Sequence, residues 1–155
     1  MTAPRDKRWL EAHLPHRGRM NLLERVGWWD GEAIRCSASS HRDADNPLRR
    51  GDELPVAAAI EYAAQSAAAH GALLAGDDSP PCPGVLASAR SVTFGARRLD
   101  DVAGPLETHV QLVGGDEAGV IYRFRVEGDG RELASGRLAV FFDAALGADG
   151  GSPPA

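Results

Sequence analysis

The stretch that decides the fold is residues 55–75, PVAAAIEYAAQSAAAHGALLA. Proline suits the first turn of a helix, alanine has the highest helix propensity, and apolar or small side chains recur here at helical spacing. The recurring positions are Val56, Ile60, Ala63, Ala67, Gly71 and Leu74. The pattern predicts one long helix over Pro55–Ala75.

The other positions of this helix are also mostly Ala or Ser rather than Lys and Glu. A helix of small residues lets neighbouring elements approach closely on several sides. We therefore expect a helix enclosed by a strongly curved sheet, not one lying on a flat sheet. Glu61 is conspicuous in such a setting because no charged residue stands three or four positions away from it.

Six segments around this helix have the alternating or β-branched pattern of strands. The first two are joined by Asp30-Gly31, and the last three are separated by Gly114-Gly115 and Gly128-Asp129-Gly130, which are hairpin signals. The predicted strands are Asn21–Trp29, Ala33–Ser39, Val85–Phe94, Leu106–Val113, Val120–Glu127 and Glu132–Phe142. The predicted fold class is α+β, a curved antiparallel sheet of about six strands wrapped around one long Ala-rich helix.

Three regions are predicted to lack regular structure. They are a mobile lead that includes His13, a polar loop at Ser40–Glu53, and a disordered Gly-, Pro- and Ala-rich tail at residues 144–155. A chain of 155 residues is the size of one ordinary domain. Residues 1–143 are therefore expected to form a single domain.

Composition argues against several classes of function. The formal net charge of −5 gives no electrostatic reason to expect nucleic-acid binding. No stretch approaches about 18 consecutive apolar residues, so no membrane span is expected. Cys36 and Cys82 lack metal-ligand spacing and nothing suggests secretion, so we expect no metal and a cytoplasmic location.

Three short motifs indicate a family. The segments Leu14–Arg17 (LPHR), Leu22–Val26 (LLERV) and Ile60–Gln65 (IEYAAQ) resemble the LPHR, LLxDRV and IEAMAQ motifs of the hot-dog-fold 3-hydroxyacyl-ACP dehydratases. The IEY variant is similar to the divergent dehydratase-like proteins of aryl polyene pathways. The resemblance covers Leu14 to Phe142 and implies a hot-dog fold.

The resemblance also implies an acid–base site. In the family a helix carboxylate, here Glu61, works with a histidine fourteen residues earlier, but that position is Pro47. His41 or His16 could replace the missing histidine, although His16 could equally be a hydrogen-bonded structural residue. A desolvated Glu61 would have a raised pKa. Gln65 shares its helix face and could hold the carboxylate or a water.

The substrate is expected at the start of the helix and in the neighbouring loops. The N–H groups of Val56 and Ala57 could receive a thioester carbonyl oxygen, with Pro47 bordering the same site. Arg97 and Arg98 could pair with phosphate or with an acidic carrier-protein surface. The alternative for these two arginines is a solvated loop.

Three functions follow from the resemblance. The first is a lyase that dehydrates 3-hydroxyacyl thioesters in fatty-acid or polyketide-type biosynthesis, although the missing loop histidine leaves enzymatic activity open. The second is a weak or inactive subunit that supports an active dehydratase, and the third is an acyl thioesterase. The implied partners are an acyl carrier protein or acyl-CoA, whose phosphopantetheine or coenzyme A carries the substrate without a further cofactor, and a second hot-dog subunit in a homodimer or hetero-oligomer.

Overall fold

The computed structural model describes residues 3–76, 84–116 and 118–142. These residues contain two α-helices and six β-strands, with short 3₁₀ turns at Gly18–Met20, Ser40–Arg42 and Val56–Ala58. The helices are α1 (Lys7–His13) and α2 (Ala59–Ala75). The strands are β1 (Arg25–Trp29), β2 (Ala33–Ala38), β3 (Gly84–Phe94), β4 (Leu106–Gly115), β5 (Gly119–Gly128) and β6 (Arg131–Phe142).

The strands make one antiparallel sheet in the order β1-β2-β4-β5-β6-β3. Strands β2 and β3 follow one another in the chain but lie four positions apart in the sheet, so α2, which connects them, crosses the sheet and contacts β2, β4, β5 and β6. The predicted fold class, a six-stranded antiparallel sheet around one long helix, is confirmed. The predicted tail at residues 144–155 lies outside the described residues, and the domain boundary at 143 stays a prediction.

Helix α2 is enclosed, as its small residues predict. Its buried positions form more than one stripe, because Gln65, Ser66 and Ala69 are buried together with the apolar residues. The predicted apolar stripe of this helix included Leu74, but Leu74 is 48% exposed and its neighbour Leu73 is buried instead. The predicted first turn of the helix is the 3₁₀ turn Val56–Ala58, which Pro55 precedes, and α2 itself begins at Ala59.

Two predictions for the N-terminal part of the chain were wrong. His13 does not lie in a mobile lead but ends α1, where its ring stacks on Trp9 at 4.2 Å. The helix forms because Asp6 caps it by accepting from the Trp9 N–H and because Leu10 is fully buried. Strand β1 begins only at Arg25, because the backbone of residues 21–23 bonds side chains of the two helices: the Asn21 and Leu23 carbonyl oxygens accept from Lys7, and the Leu22 N–H donates to Gln65.

The predicted turn between the last two strands is confirmed. Asp129 and Gly130 have φ of +52° and +77°, the backbone that a two-residue type I′ turn requires. Within the described residues, no helix combines the length and the apolar character needed to cross a membrane.

A buried histidine ties α2 to the sheet. His70 is fully buried, with its Nε2–H donating to the Asp30 carbonyl oxygen and its Nδ1 accepting from the Tyr122 hydroxyl, each at 2.8 Å. Burial lowers the pKa of His70, and the contact with Asp30 opposes this only in part. The neutral imidazole satisfies both hydrogen bonds, so the folded state favours the unprotonated form.

Lowering the pH from about 7 to about 5 should reduce the free energy of unfolding, and His70 should supply part of that loss. Because the folded-state pKa is lowered, the unfolded chain binds a proton at this site where the folded chain does not. The stability from His70 is therefore present above its ordinary pKa of about 6.5 and is lost as the pH falls below it. Urea unfolding at several pH values should give a shallower pH slope for His70→Gln, and equal slopes for both chains would contradict this role.

Candidate functional site

The first turns of α2 and the loop before β1 meet at the predicted carboxylate. Glu61 Oε2 lies 3.4 Å from His16 Nε2, and the side chains are 29% and 24% exposed. The amide nitrogen of Gln65 donates to the same carboxylate oxygen at 3.1 Å. The structure thus brings together Glu61, Gln65 and one of the two candidate histidines, His16.

Gln65 fixes this arrangement from inside the core. Its side chain is fully buried, its Oε1 accepts from the Leu22 N–H at 2.9 Å, and its Nε2 also donates to the Met20 carbonyl oxygen at 2.6 Å. The loop that carries His16 is thereby attached to the helix that carries Glu61. A buried amide with all of these partners holds its rotamer, so the carboxylate is held as well.

A second polar residue supports the His16 backbone. The buried Asn21 side chain donates to the carbonyl oxygens of Leu10 and His16, at 3.2 and 3.3 Å. Lys7 in turn donates to the Asn21 side-chain oxygen at 2.9 Å and to the backbone of Asn21 and Leu23. The histidine loop is therefore held by α1 as well as by α2.

The electrostatics of Glu61 differ from the prediction. Burial raises the pKa of Glu61, but the hydrogen bonds from His16 and Gln65 together lower it by more, so the pKa lies below its ordinary value. The predicted raised pKa was wrong because burial was weighed without these two donors. Glu61 is therefore ionised at neutral pH and accepts from both of them.

One atom of each partner is left without a hydrogen bond. Among the described residues, none bonds Oε1 of Glu61, and Nδ1 of His16 is buried without a partner. Because a carboxylate can only accept, the His16 nitrogen that faces Glu61 is the donor of this contact. The carboxylate thus keeps one oxygen for a ligand.

The structure does not bring His41 to Glu61. His41 is fully buried in the 3₁₀ turn Ser40–Arg42, where its Nε2 bonds the Val102 carbonyl oxygen at 3.0 Å. Burial lowers the pKa of His41, against the opposing effect of that carbonyl. Its contacts are those of a histidine that joins two loops, and the catalytic role suggested for it has no geometric support here.

Pro47, at the position of the family's loop histidine, is exposed. The buried Asn46 beside it donates to the Tyr62 hydroxyl at 3.1 Å and accepts from the Leu48 N–H at 2.8 Å. The Ser40 hydroxyl bonds the same Tyr62 hydroxyl at 2.8 Å. The loop is therefore anchored to α2 through the tyrosine that follows Glu61, a cluster that sequence reasoning missed although the IEY motif pointed to this tyrosine.

The remaining predicted residues lie near the start of α2. The Val56 N–H donates to the Arg97 carbonyl oxygen at 3.1 Å, so it is not available to a thioester, and the prediction for Val56 was wrong. Ala57 is exposed, and its role stays a prediction. Arg97 is 73% exposed and pairs with Glu53 at 2.7 Å, while Arg98 pairs with Asp100. Arg98 is therefore already neutralised, whereas Arg97 can exchange its partner.

The curved sheet, the enclosed helix and the carboxylate near the helix start define a hot-dog-fold domain. The sequence profile of the ApeP-like family, described as ApeP dehydratase, matches residues 9–147. The chain therefore belongs to the ApeP-like dehydratase family. A comparison with curated proteins gives no match.

Solved structures share the fold. One is the dehydratase heterocomplex ApeI:P from Xenorhabdus doucetiae, with a TM-score of 0.77, 24% identity, and coverage of 86% of this chain and 90% of that chain. A thioesterase mutant from Pseudomonas aeruginosa has a TM-score of 0.55 and 14% identity, with coverage of 77% and 80%. A thioesterase mutant from Staphylococcus aureus has a TM-score of 0.55 and 9% identity, with coverage of 76% and 90%.

Replacing Gln65 with Met should destabilise the fold by roughly 2–4 kcal/mol, because a side chain of similar length then leaves the Leu22 N–H and the Met20 carbonyl buried without their partner. Gln111→Met, at an exposed position, is the matched control and should change stability by less than about 0.5 kcal/mol. Urea unfolding measures both. Equal stabilities of the two variants would show that the Gln65 amide does not hold the loop to the helix.

Proposed function

We propose that this chain dehydrates 3-hydroxyacyl thioesters, with Glu61 as the acid–base group and His16 as the imidazole that holds its carboxylate. The observation that carries the proposal is the contact of His16 Nε2 with Glu61 Oε2 at 3.4 Å, in a chain that has Pro47 in place of the family's loop histidine. The ionised carboxylate keeps Oε1 for the substrate. His16 supplies the imidazole from a different part of the chain.

The proposed step is an elimination. Oε1 of Glu61 removes the proton on the carbon next to the thioester carbonyl, the Cβ–O bond breaks, and the Cα=Cβ bond of the 2-enoyl thioester forms. The proton taken by Glu61 is delivered to the leaving hydroxyl, which departs as water and restores the carboxylate. His16 and Gln65 hold the other carboxylate oxygen, Oε2, in place. Their N–H groups stabilise the negative charge of Glu61 before and after the proton transfer.

The substrate class follows from this chemistry and from the family. The elimination is redox-neutral, so we propose no cofactor besides the phosphopantetheine of an acyl carrier protein, or coenzyme A, that carries the acyl group. Arg97, exposed beside the Val56 backbone, is suited to the phosphate of that carrier. A pathway of the aryl polyene type, in the cytoplasm, is the setting we propose.

A free sheet edge supports assembly with a second hot-dog subunit. Edge strand β1 is covered, because Arg5 and Val26 exchange two backbone hydrogen bonds at 3.0 and 2.9 Å. Edge strand β3, by contrast, pairs only with β6 among the described residues and leaves its other side open. Such an edge is a template for another strand. The similar ApeI:P structure is itself a heterocomplex, so we propose this edge as the place where a second subunit pairs.

The second candidate is a supporting subunit that binds the acyl thioester while a partner performs the chemistry. Pro47 favours this second candidate, because proline has no titratable side chain and it stands at the position of the family's histidine. Hydrolysis of the thioester, with Glu61 activating a water, is the third possibility. The same experiment separates all three.

Incubation of the purified chain with a 3-hydroxyacyl carrier protein should release water, detected by mass spectrometry of the acyl group. Glu61→Gln keeps the shape but cannot accept a proton, so turnover should fall by about 10²–10⁴-fold, as for loss of a general base. His16→Asn should also lower turnover. Glu32→Gln, an exposed carboxylate in the β1–β2 turn, is the matched control and should retain it.

The alternatives give different products. Detection of the free acid in place of the enoyl thioester would show that the chain hydrolyses the thioester and does not dehydrate it. Water loss only after addition of a second hot-dog subunit, equal for the natural chain and Glu61→Gln, would make this chain the supporting subunit. Full activity of Glu61→Gln alone would remove Glu61 from the mechanism.

A further inference from the structure

A groove of about 600 Å³ lies on the face of the sheet that points away from α2. Along β5 the side chains of this face, Arg123 and Arg125, are exposed, whereas the alternating Tyr122 and Phe124 are buried. The volume of the groove falls within the range of small-molecule sites, about 300–1,000 Å³. Glu61 does not line this groove, so the mechanism proposed above gives it no role.

The charges that line the groove are mostly positive. The lining contains four arginines and one carboxylate, namely Arg35, Arg123, Arg125, Arg137 and Glu132. His109 also lines the groove, but burial lowers its pKa, so its imidazole is neutral at pH 7. Four positive charges against one negative charge leave a net charge of +3, in a chain whose formal net charge is −5.

This positive charge is local and does not extend to a second groove of the molecule. The second groove is lined by residues of α1 and of the turn Ser40–Arg42 and its neighbourhood. Its charged residues are two cations and four carboxylates, namely Lys7, Arg19, Glu11, Glu24, Asp43 and Asp45. A small anion is therefore attracted to the groove on the sheet and repelled from the groove beside α1.

Two of the four arginines on the sheet already have partners. Arg125 Nε donates to the Glu127 carboxylate at 2.7 Å. The Arg35 guanidinium lies over the Trp28 ring, 5.5 Å from its centroid, where the face of the ring attracts the cation. The charge of Arg125 is thus compensated by a carboxylate, and the position of Arg35 is set by an aromatic ring.

The other two arginines, Arg123 and Arg137, have no side-chain partner among the described residues. They are direct cross-strand neighbours on β5 and β6, and both are exposed. Like charges placed directly opposite one another destabilise a sheet. An anion bound between these two guanidiniums would remove the repulsion, so the folded chain gains stability from such a ligand.

Three neutral side chains add donors to the same groove. They are Ser91, Gln111 and Ser135, and in the part of the chain that the structure describes none of them makes a side-chain hydrogen bond. Ser91 lies at a register shift between β3 and β6 and has φ of +54°, which is uncommon for a residue other than glycine. Residues with such backbone angles cluster at ligand sites.

We propose that this groove is a second binding site, which takes a small compound that carries phosphate groups between Arg123 and Arg137. A guanidinium binds a phosphate through two parallel N–H···O hydrogen bonds. The oxygens of a phosphate point in several directions, so they can accept from the hydroxyl and amide donors of the groove as well. The two oxygens of a carboxylate lie in one plane, and a single guanidinium already satisfies them.

The size of the groove favours a small compound over an acidic protein. A standard protein interface involves roughly 20–30 residues on each side, which is more than the lining of this groove provides. A concave site also surrounds a small ligand, whereas a flat membrane surface would contact only its rim. The phosphate is therefore expected on a soluble compound and not on a lipid headgroup.

Isothermal titration calorimetry of the full chain with inorganic tripolyphosphate tests the proposal. We expect binding at low salt that weakens at about 0.5 M salt, where the Debye length is only a few ångströms. R123Q/R137Q should weaken binding by at least about tenfold, because two charge-assisted hydrogen-bonding groups are lost. E132Q should bind more tightly than the natural chain, because it removes the carboxylate that lines the groove.

R8Q/R50Q makes the same change in net charge at exposed positions away from the groove and should bind like the natural chain. R123Q/R137Q removes a like-charged pair, so its melting temperature should not fall and lost binding is not lost folding. The titration involves no turnover, so its result is independent of the proposed dehydration.

Three results would overturn the proposal. One is the absence of binding by the natural chain at low salt, and another is equal weakening in the two double variants. Citrate that binds as tightly as tripolyphosphate would contradict the preference for phosphate. Binding to phosphatidylglycerol vesicles without binding to tripolyphosphate also counts as absence of binding here, and would assign the two arginines to a membrane surface.

Discussion

The structure of the site depends on one buried side chain, Gln65. Its amide joins the backbone of the loop at Met20 and Leu22 to the carboxylate of Glu61, so a single rotamer sets the distance between a loop and a helix that are more than forty residues apart in sequence. A buried amide is stable only with its partners present. The loop therefore cannot leave the helix without exposing or orphaning polar groups, and His16 is kept beside Glu61 for the same reason.

Much of the fold could be predicted because its signals are local. The helix of small residues, the alternating strands and the Asp129-Gly130 turn each contain their own pattern, and the structure has them. Gly114 and Gly115, which were predicted to separate two strands, instead lie at the end of β4 and pair with β5. The predicted boundaries of the secondary-structure elements were wrong where tertiary contacts compete with local propensity. Residues 21–23 have strand character, yet their backbone bonds the side chains of Gln65 and Lys7, and β1 begins at Arg25. Helix α1 was missed because it is short and depends on its Asp6 cap and on the burial of Leu10.

The site was harder to predict because it is made of long-range contacts. Glu61 and Gln65 lie one turn apart, so their relation follows from helix geometry. Which histidine reaches Glu61 depends on the path of two loops, and the sequence left His16 and His41 open. The direction of the Glu61 pKa shift could not be predicted from burial alone, because it also depends on the hydrogen bonds from His16 and Gln65.

In the proposed mechanism the imidazole comes from His16 and not from the loop position that Pro47 occupies, and different residues then position it. A histidine at position 47 would be positioned by the loop that Tyr62 anchors through Ser40 and Asn46. His16 is positioned instead by Asn21 and by the Gln65 contacts, which also fix the carboxylate. Both members of the pair then share one support, so a shift of the 16–22 loop alters the distance between them and the stability of the fold together. Precise placement of reacting groups requires such a supporting shell. Here the shell is part of the core, because Gln65 and Asn21 are buried, so a mutation at either residue changes the placement of the pair and the stability of the fold together.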